Sequence, residues 1–132
     1  MMIVDTTVWA DWFNGERGAA AGWLDRALDA QVDLGVTPMI LTEVLQGLRS
    51  DRSFERAREL LVALPLLALD ASGHVEAASL FRRLRRRGVT VRGAVDCVIA
   101  QTCIATDSEL LTNDRDFVAI ARHSSLRLVA VA

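Results

Sequence analysis

At 132 residues the chain suffices for one domain, read here as spanning 1–132, that buries roughly two-thirds of its unfolded surface. Apolar residues make up 52 % of it and the mean hydropathy is +0.26, which excludes a disordered polymer. The net charge of −2 disfavours a simple polyanion binder, although the placement of the charges matters more than their sum.

Met2, Ile3 and Val4 read as a short buried strand. No basic n-region precedes them, so no secretory leader is expected and a cytoplasmic location is. No apolar run approaches the ~20 residues of a membrane span. Thr6 or Thr7 can cap a first helix that carries Val8, Trp9, Trp12 and Phe13 and stops at Asn14-Gly15. A second helix over 18–31 has Trp23, Leu24, Ala27 and Leu28 at helical spacing, and 33–36 is a second strand. Pro38 opens the helix that holds Glu43, and a further helix runs from about 53 to 64, stopping at Pro65.

Residues 66–69 are expected as a third strand, followed by a long helix over 72–87, capped by Ser72 and stopped by Gly88. Apolar spacing predicts a helix over 93–105, then a strand over 110–112, a helix over 115–122 and a last strand over 126–131. Strands alternating with helices imply a three-layer α/β/α domain around a mainly parallel sheet of about five strands. The two cysteines, Cys97 and Cys103, lack a CxxC spacing and read as small buried hydrophobes. His74 and His123 lie in polar contexts outside any zinc or triad pattern and read as surface residues.

Four acids occupy apolar-flanked positions: Asp5 after Ile3-Val4, Glu43 within Leu41-Thr42-Glu43-Val44, Asp96 within Val95-Asp96-Cys97, and Asp114 after Leu110-Leu111-Thr112-Asn113. Asp116 follows closely. Burying a carboxylate costs several kcal/mol unless a partner compensates it. The chain contains no Lys, and no Arg adjoins the first three acids. Carboxylates gathered in that way suit a hard cation of the Mg²⁺ or Mn²⁺ kind. In the expected topology strand ends and helix N-termini meet at one sheet edge, where α/β ligand sites form. Singly, Asp5 and Asp96 are equally readable as helix-terminal charges.

Of 17 acids, setting those five aside leaves 12 against 15 Arg, a basic remainder. Six of the arginines cluster at Arg82, Arg83, Arg85, Arg86, Arg87 and Arg92. They form either a solvated helix face or an RNA-docking surface beside the acids. Trp9, Trp12 and Phe13 serve either as core or as anchors for a partner.

With its Ile3-Val4-Asp5-Thr6-Thr7, Leu41-Thr42-Glu43-Val44, Val95-Asp96-Cys97-Val98-Ile99-Ala100 and Leu110-Leu111-Thr112-Asn113-Asp114-Arg115-Asp116-Phe117 segments, the chain resembles the PIN-domain ribonucleases. The resemblance is closest to the VapC toxins of toxin–antitoxin pairs. It implies that Asp5, Glu43, Asp96 and Asp114 bind one or two Mg²⁺ or Mn²⁺ ions and are the catalytic set. Asp116 matches a position acidic in many members, and Thr6 and Thr112 match supporting hydroxyls. It further implies metal-dependent cleavage of RNA, often tRNA, a cognate VapB-like antitoxin covering the acidic site, and a homodimer.

Other phosphate chemistries fit poorly. A receiver domain and a haloacid-dehalogenase-type phosphatase both need a Lys, and no Gly-rich phosphate loop follows any strand. The remaining alternative is a catalytically inactive PIN-like module that binds RNA or protein.

Overall fold

The computed structural model describes residues 1–131. Its elements are β1 (Met2–Val4), α1 (Thr6–Phe13), α2 (Ala19–Asp29), β2 (Leu34–Gly35), α3 (Pro38–Gln46), α4 (Asp51–Val62), α5 (Ala71–Arg86), α6 (Ala94–Ala105), β3 (Glu109–Leu111), α7 (Arg115–Arg122) and β4 (Arg127–Leu128). The strands form one sheet in the order β2-β1-β3-β4, and every pairing is parallel. Helices α1 to α4 pack in one group and α5 to α7 in another, which gives the expected three-layer arrangement. Among the described residues no helix is long and apolar enough to cross a membrane.

The central pair carries the core. Ile3 and Val4 of β1 lie opposite Leu110 and Leu111 of β3, and all four are fully buried. Central parallel strands are covered on both faces, so they read as continuous apolar runs without alternation. Leu24, Ile40, Leu80, Leu84, Phe117 and Ile120 close over them from the helices.

The edges depart from expectation. The predicted third strand is reduced to one parallel bridge, Val36 to Leu66, held by Val36 N–H to the Pro65 carbonyl at 3.0 Å and Leu67 N–H to the Val36 carbonyl at 2.8 Å. Pro65 has no N–H to extend a ladder, Leu66 is 57 % exposed, and the chain must turn at once into α5. The sheet therefore has four strands plus this bridge. At the opposite edge β4 covers Arg127–Leu128 only.

Caps also differ from the predicted ones. Asp5, itself readable from sequence as a helix-terminal charge, caps α1 in place of Thr6 or Thr7, accepting the Thr6 N–H at 2.9 Å. Asp70 rather than Ser72 caps α5, accepting the Gly73 N–H at 2.8 Å. Asp accepts such bonds as readily as Ser or Thr and adds a charge that the helix N-terminus favours. Both cysteines are free and buried, as expected.

Leu110, wholly buried at the centre of the sheet, reports on this core. Leu110→Ala should destabilise the protein by about 2–5 kcal/mol in urea unfolding, with the m-value unchanged.

Candidate active site

The parallel register sets two acids side by side. Val4 pairs with Leu111, so β1 and β3 end at the same edge, and the Asp5 N–H donates to the Leu111 carbonyl at 2.9 Å. Asp5 then caps α1, while Asp114, three residues past β3, caps α7 and accepts the Asp116 N–H at 2.9 Å. Asp96 sits in the first turn of α6. Glu43 projects from α3, whose start is fixed by Pro38 and by the buried Thr37 hydroxyl accepting the Ile40 N–H at 3.2 Å.

Asp5, Glu43, Asp96 and Asp114 line a single cleft of about 220 Å³, together with Thr6, Thr7, Arg92 and Ile99. Asp116 joins from the first turn of α7. One oxygen each of Asp96, Asp114 and Asp116 lies within 4.8 Å of the other two. All five predicted acids thus converge, although they come from four separate segments of the chain.

Hydroxyl groups orient the carboxylates. Thr112 donates to Asp5 Oδ2 at 2.9 Å, and the Asp114 N–H donates to the same Thr112 oxygen at 2.9 Å, so one side chain ties the two acids. Thr6 donates to Glu43 Oε1 at 3.2 Å. Thr7, read from sequence only as a helix cap, donates to Asp5 Oδ2 at 3.4 Å. A hydroxyl within the first turn after a capping Asp is the signal that would have pointed to it.

Crowding perturbs the acids. Burial raises the Asp5 carboxyl above its ordinary range, opposed by hydrogen bonds from Thr112, the Thr6 N–H and Thr7 and reinforced by Asp114. Asp96 is pushed up to about 6, first by burial and then by Asp114, Asp5 and Asp116, with Arg92 opposing. A pocket that makes Asp5 and Asp96 harder to ionise gains from a cation.

The donor set fits a divalent ion. It is all oxygen and mostly carboxylate, and the three clustered acids offer ligand atoms close enough to share one hard cation. Asp116 Oδ2 is buried and accepts no hydrogen bond among the described residues. Such an acceptor is costly unless a charge faces it. Among the described residues the cation that faces it is Arg92, whose Nε lies 3.5 Å away on a side chain that is 84 % exposed. In the sequence no Arg stands beside the first three acids, and the basic neighbour the fold supplies stands at Asp116. Residues distant in sequence met there because the segment after α5 folds back.

The other predicted residues divide. Arg82, Arg83, Arg85, Arg86 and Arg87 are exposed at the C-terminal end of α5, outside the acidic cleft, and only Arg92 lines it. Trp9 has no exposed surface; it stacks on Phe13, one turn further along α1, at 5.9 Å and so belongs to the core, not to a partner surface. Trp12 and Phe13 keep half-exposed faces, and Trp12 donates to Asp25 at 3.1 Å.

An acid-lined cleft at the carboxyl edge of a parallel sheet is the arrangement of a PIN-domain nuclease, and the PIN domain model matches residues 2–123. The chain belongs to that family. Within it, the chain is 32 % identical over 129 residues to a VapC ribonuclease of Mycobacterium bovis and to ribonuclease VapC11 of Mycobacterium tuberculosis, covering 96 % of this chain and 96 % of each relative. It is thus a PIN-domain ribonuclease of the VapC type. The same fold occurs in VapBC2 from Rickettsia felis bound to a promoter DNA fragment (TM-score 0.75, 17 % identity, 97 % of this chain and 96 % of that one). It occurs also in FitAcB from Neisseria gonorrhoeae (TM-score 0.71, 16 % identity, 98 % and 97 %).

The raised Asp96 value has a consequence for stability. Below the ordinary carboxyl range both folded and unfolded chains are protonated there, and nothing is lost. As pH rises from 3.8 toward 6 the unfolded chain ionises first, so stability falls across that window and levels off above it. Asp96→Asn should remove that loss. With solvent screening discounted it should stabilise the metal-free protein by about 1 kcal/mol at pH 7.5. A rise of about 2–4 °C in melting temperature follows, shrinking toward pH 4. An equal offset at both pH values would contradict it.

Proposed function

We propose that this protein is a Mg²⁺- or Mn²⁺-dependent endoribonuclease of residues 1–132, the toxin of a cytoplasmic toxin–antitoxin pair. The observation that supports this reading best is the convergence of Asp5, Glu43, Asp96 and Asp114 in one cleft, with Asp116 against two of them. An inactive binding module would not need five carboxylates gathered in one place, with Asp5 and Asp96 made harder to ionise by it.

Asp96, Asp114 and Asp116, whose oxygens lie within reach of one ion, would hold the cation, with Asp5 and Glu43 completing the set. A bound divalent ion would acidify water and neutralise charge on the phosphoryl oxygens. The chain's own residues supply the rest. Thr112 and Thr7 turn the Asp5 carboxylate and Thr6 turns that of Glu43, so that ligand atoms are aimed before anything binds. Arg92, on the rim, is free to leave Asp116 for a phosphate, and the exposed arginines of α5 extend a basic approach for the strand.

Asp96→Asn and Glu43→Gln should each lower RNA cleavage by at least about 100-fold while keeping the folded circular dichroism spectrum; Thr112→Val, acting through Asp5, should cost about 10–100-fold. Full activity of purified Asp96→Asn protein would sink the assignment.

A VapB-like antitoxin is the proposed inhibitor. Several chains of the same fold were solved as VapBC or FitAB assemblies, among them VapBC-1 of nontypeable Haemophilus influenzae (TM-score 0.74, 14 % identity). The half-exposed Trp12 and Phe13 offer it apolar contact, and an Arg delivered into the acids would make charge-assisted bonds there. Homodimerisation is proposed on the opposite ground of exposed apolar surface: Met39, Leu66, Val75 and Val95 are 38–66 % exposed, and Met39 and Val95 border an apolar cleft of about 280 Å³. If the inhibitor occupies the acids, millimolar Mn²⁺ should weaken its binding to the wild type. Glu43→Gln should weaken it too. Equal affinities with and without metal for both proteins, measured by calorimetry, would place the inhibitor elsewhere.

A further inference from the structure

The segment joining α5 to α6 walls two clefts at once. Arg92 lines the acidic cleft. Just before it, Phe81, Arg85, Gly88, Val89, Thr90 and Val91 enclose a second cleft of about 260 Å³. Consecutive Cα atoms lie ~3.8 Å apart, so Val91 and Arg92 put the two clefts on neighbouring positions of one short stretch.

The second cleft has a built floor and a fixed rim. The Arg85 guanidinium carbon lies 5.7 Å from the Phe81 ring centroid, a cation–π pair that presents a flat, charged face. The turn above it is closed by the Val89 N–H to the Leu84 carbonyl at 2.9 Å and the Gly88 N–H to the Arg85 carbonyl at 3.1 Å. Gly88 adopts φ +73°, the left-handed conformation that such a helix stop requires and glycine tolerates. Among the described residues Thr90 and Val91 make no backbone–backbone hydrogen bond, and Thr90 is exposed, which leaves its N–H, carbonyl and hydroxyl available to a ligand.

Charge narrows the occupant. Residues 77–95 hold six Arg and not one Asp or Glu. A cleft of this size falls below the ~300–1,000 Å³ of sites for drug-sized molecules and suits one planar group. A flat cationic face, free edge-reading groups and a phosphate-attracting surround together describe a nucleobase seat.

We propose that this cleft receives one unpaired base of the RNA strand, beside the phosphate presented to the acids, and so contributes to cleavage-site choice. The proposal rests on the RNA-cleaving reading above. The base stacks on Arg85, which Phe81 backs from beneath, and Thr90 meets its edge. Arg92 then stands between the base seat and the carboxylates.

The test uses the full Asp96→Asn chain in EDTA with a single-stranded decaribonucleotide of fixed sequence, so that binding is read without cleavage. Arg85→Lys keeps the charge but loses the planar stacking face; Phe81→Leu keeps apolar packing but loses the ring. Each should weaken binding about five- to tenfold at an unchanged salt slope and melting temperature. Moving a single abasic site along the RNA should reveal one costly position, and that cost should vanish in Arg85→Lys. Parent-like affinity of Arg85→Lys with the abasic cost intact overturns the proposal, as does loss of self-association or antitoxin binding with RNA affinity unchanged. Failure of the wild type to cleave any RNA would instead remove the RNA reading itself. A wild type that cleaves, beside an Arg85→Lys variant with the same base preference at every position around the cut, would remove the base seat alone.

Discussion

The register of β1 on β3 is the constraint from which the site descends. Pairing Val4 with Leu111 brings the next residues of both strands out at one edge, and the Asp5 N–H closes the pair by donating to the Leu111 carbonyl. Ile3, Val4, Leu110 and Leu111 are all fully buried, so a slip would draw polar neighbours such as Asp5 or Thr112 into the apolar layer in their place. The core thus holds Asp5 next to the segment that carries Thr112 and Asp114. Carboxylates left to themselves would move apart.

What the core imposes, the helix ends make tolerable. Asp5 and Asp114 each give one oxygen to the first turn of a helix, and Asp96 lies in the first turn of a third. Helix N-termini favour negative charge, typically by 0.3–1 kcal/mol each. This local support lets three acids sit close without buried ion pairs of their own. Arg92 adds one weakly engaged cation, too exposed to neutralise the cluster and well placed to be exchanged. The capping and ligand readings of Asp5 and Asp114 are therefore compatible: a carboxylate has two oxygens, and capping uses one.

Where sequence reasoning went astray, the cause was usually competition between two uses of one residue type. Residues 66–69 form a continuous apolar run like that of a buried strand, yet Pro65 removes the first ladder donor and Asp70 starts α5 too soon. Trp9 has the size of an interface anchor, but its position on α1 turns it inward against Phe13. Thr6 and Thr7 look like caps, and because Asp5 takes that role their hydroxyls are released to orient Glu43 and Asp5. The arginine run reads as one basic face, whereas only Arg92 reaches the acids.

From residue order alone one could read the alternation of strands and helices, the apolar character of the central strands, and the five acids with their expected meeting at a sheet edge. Each rests on patterns of period or on single residues in unusual surroundings, which local chemistry decides. Distances were beyond that reach. That Asp96, Asp114 and Asp116 crowd within reach of one ion, that Thr112 bridges Asp5 and Asp114, and that the turn after α5 brings Arg92 over Asp116 are results of packing. They depend on contacts between segments far apart along the chain, and such contacts are set by how helices α5, α6 and α7 settle on the sheet rather than by any stretch of sequence.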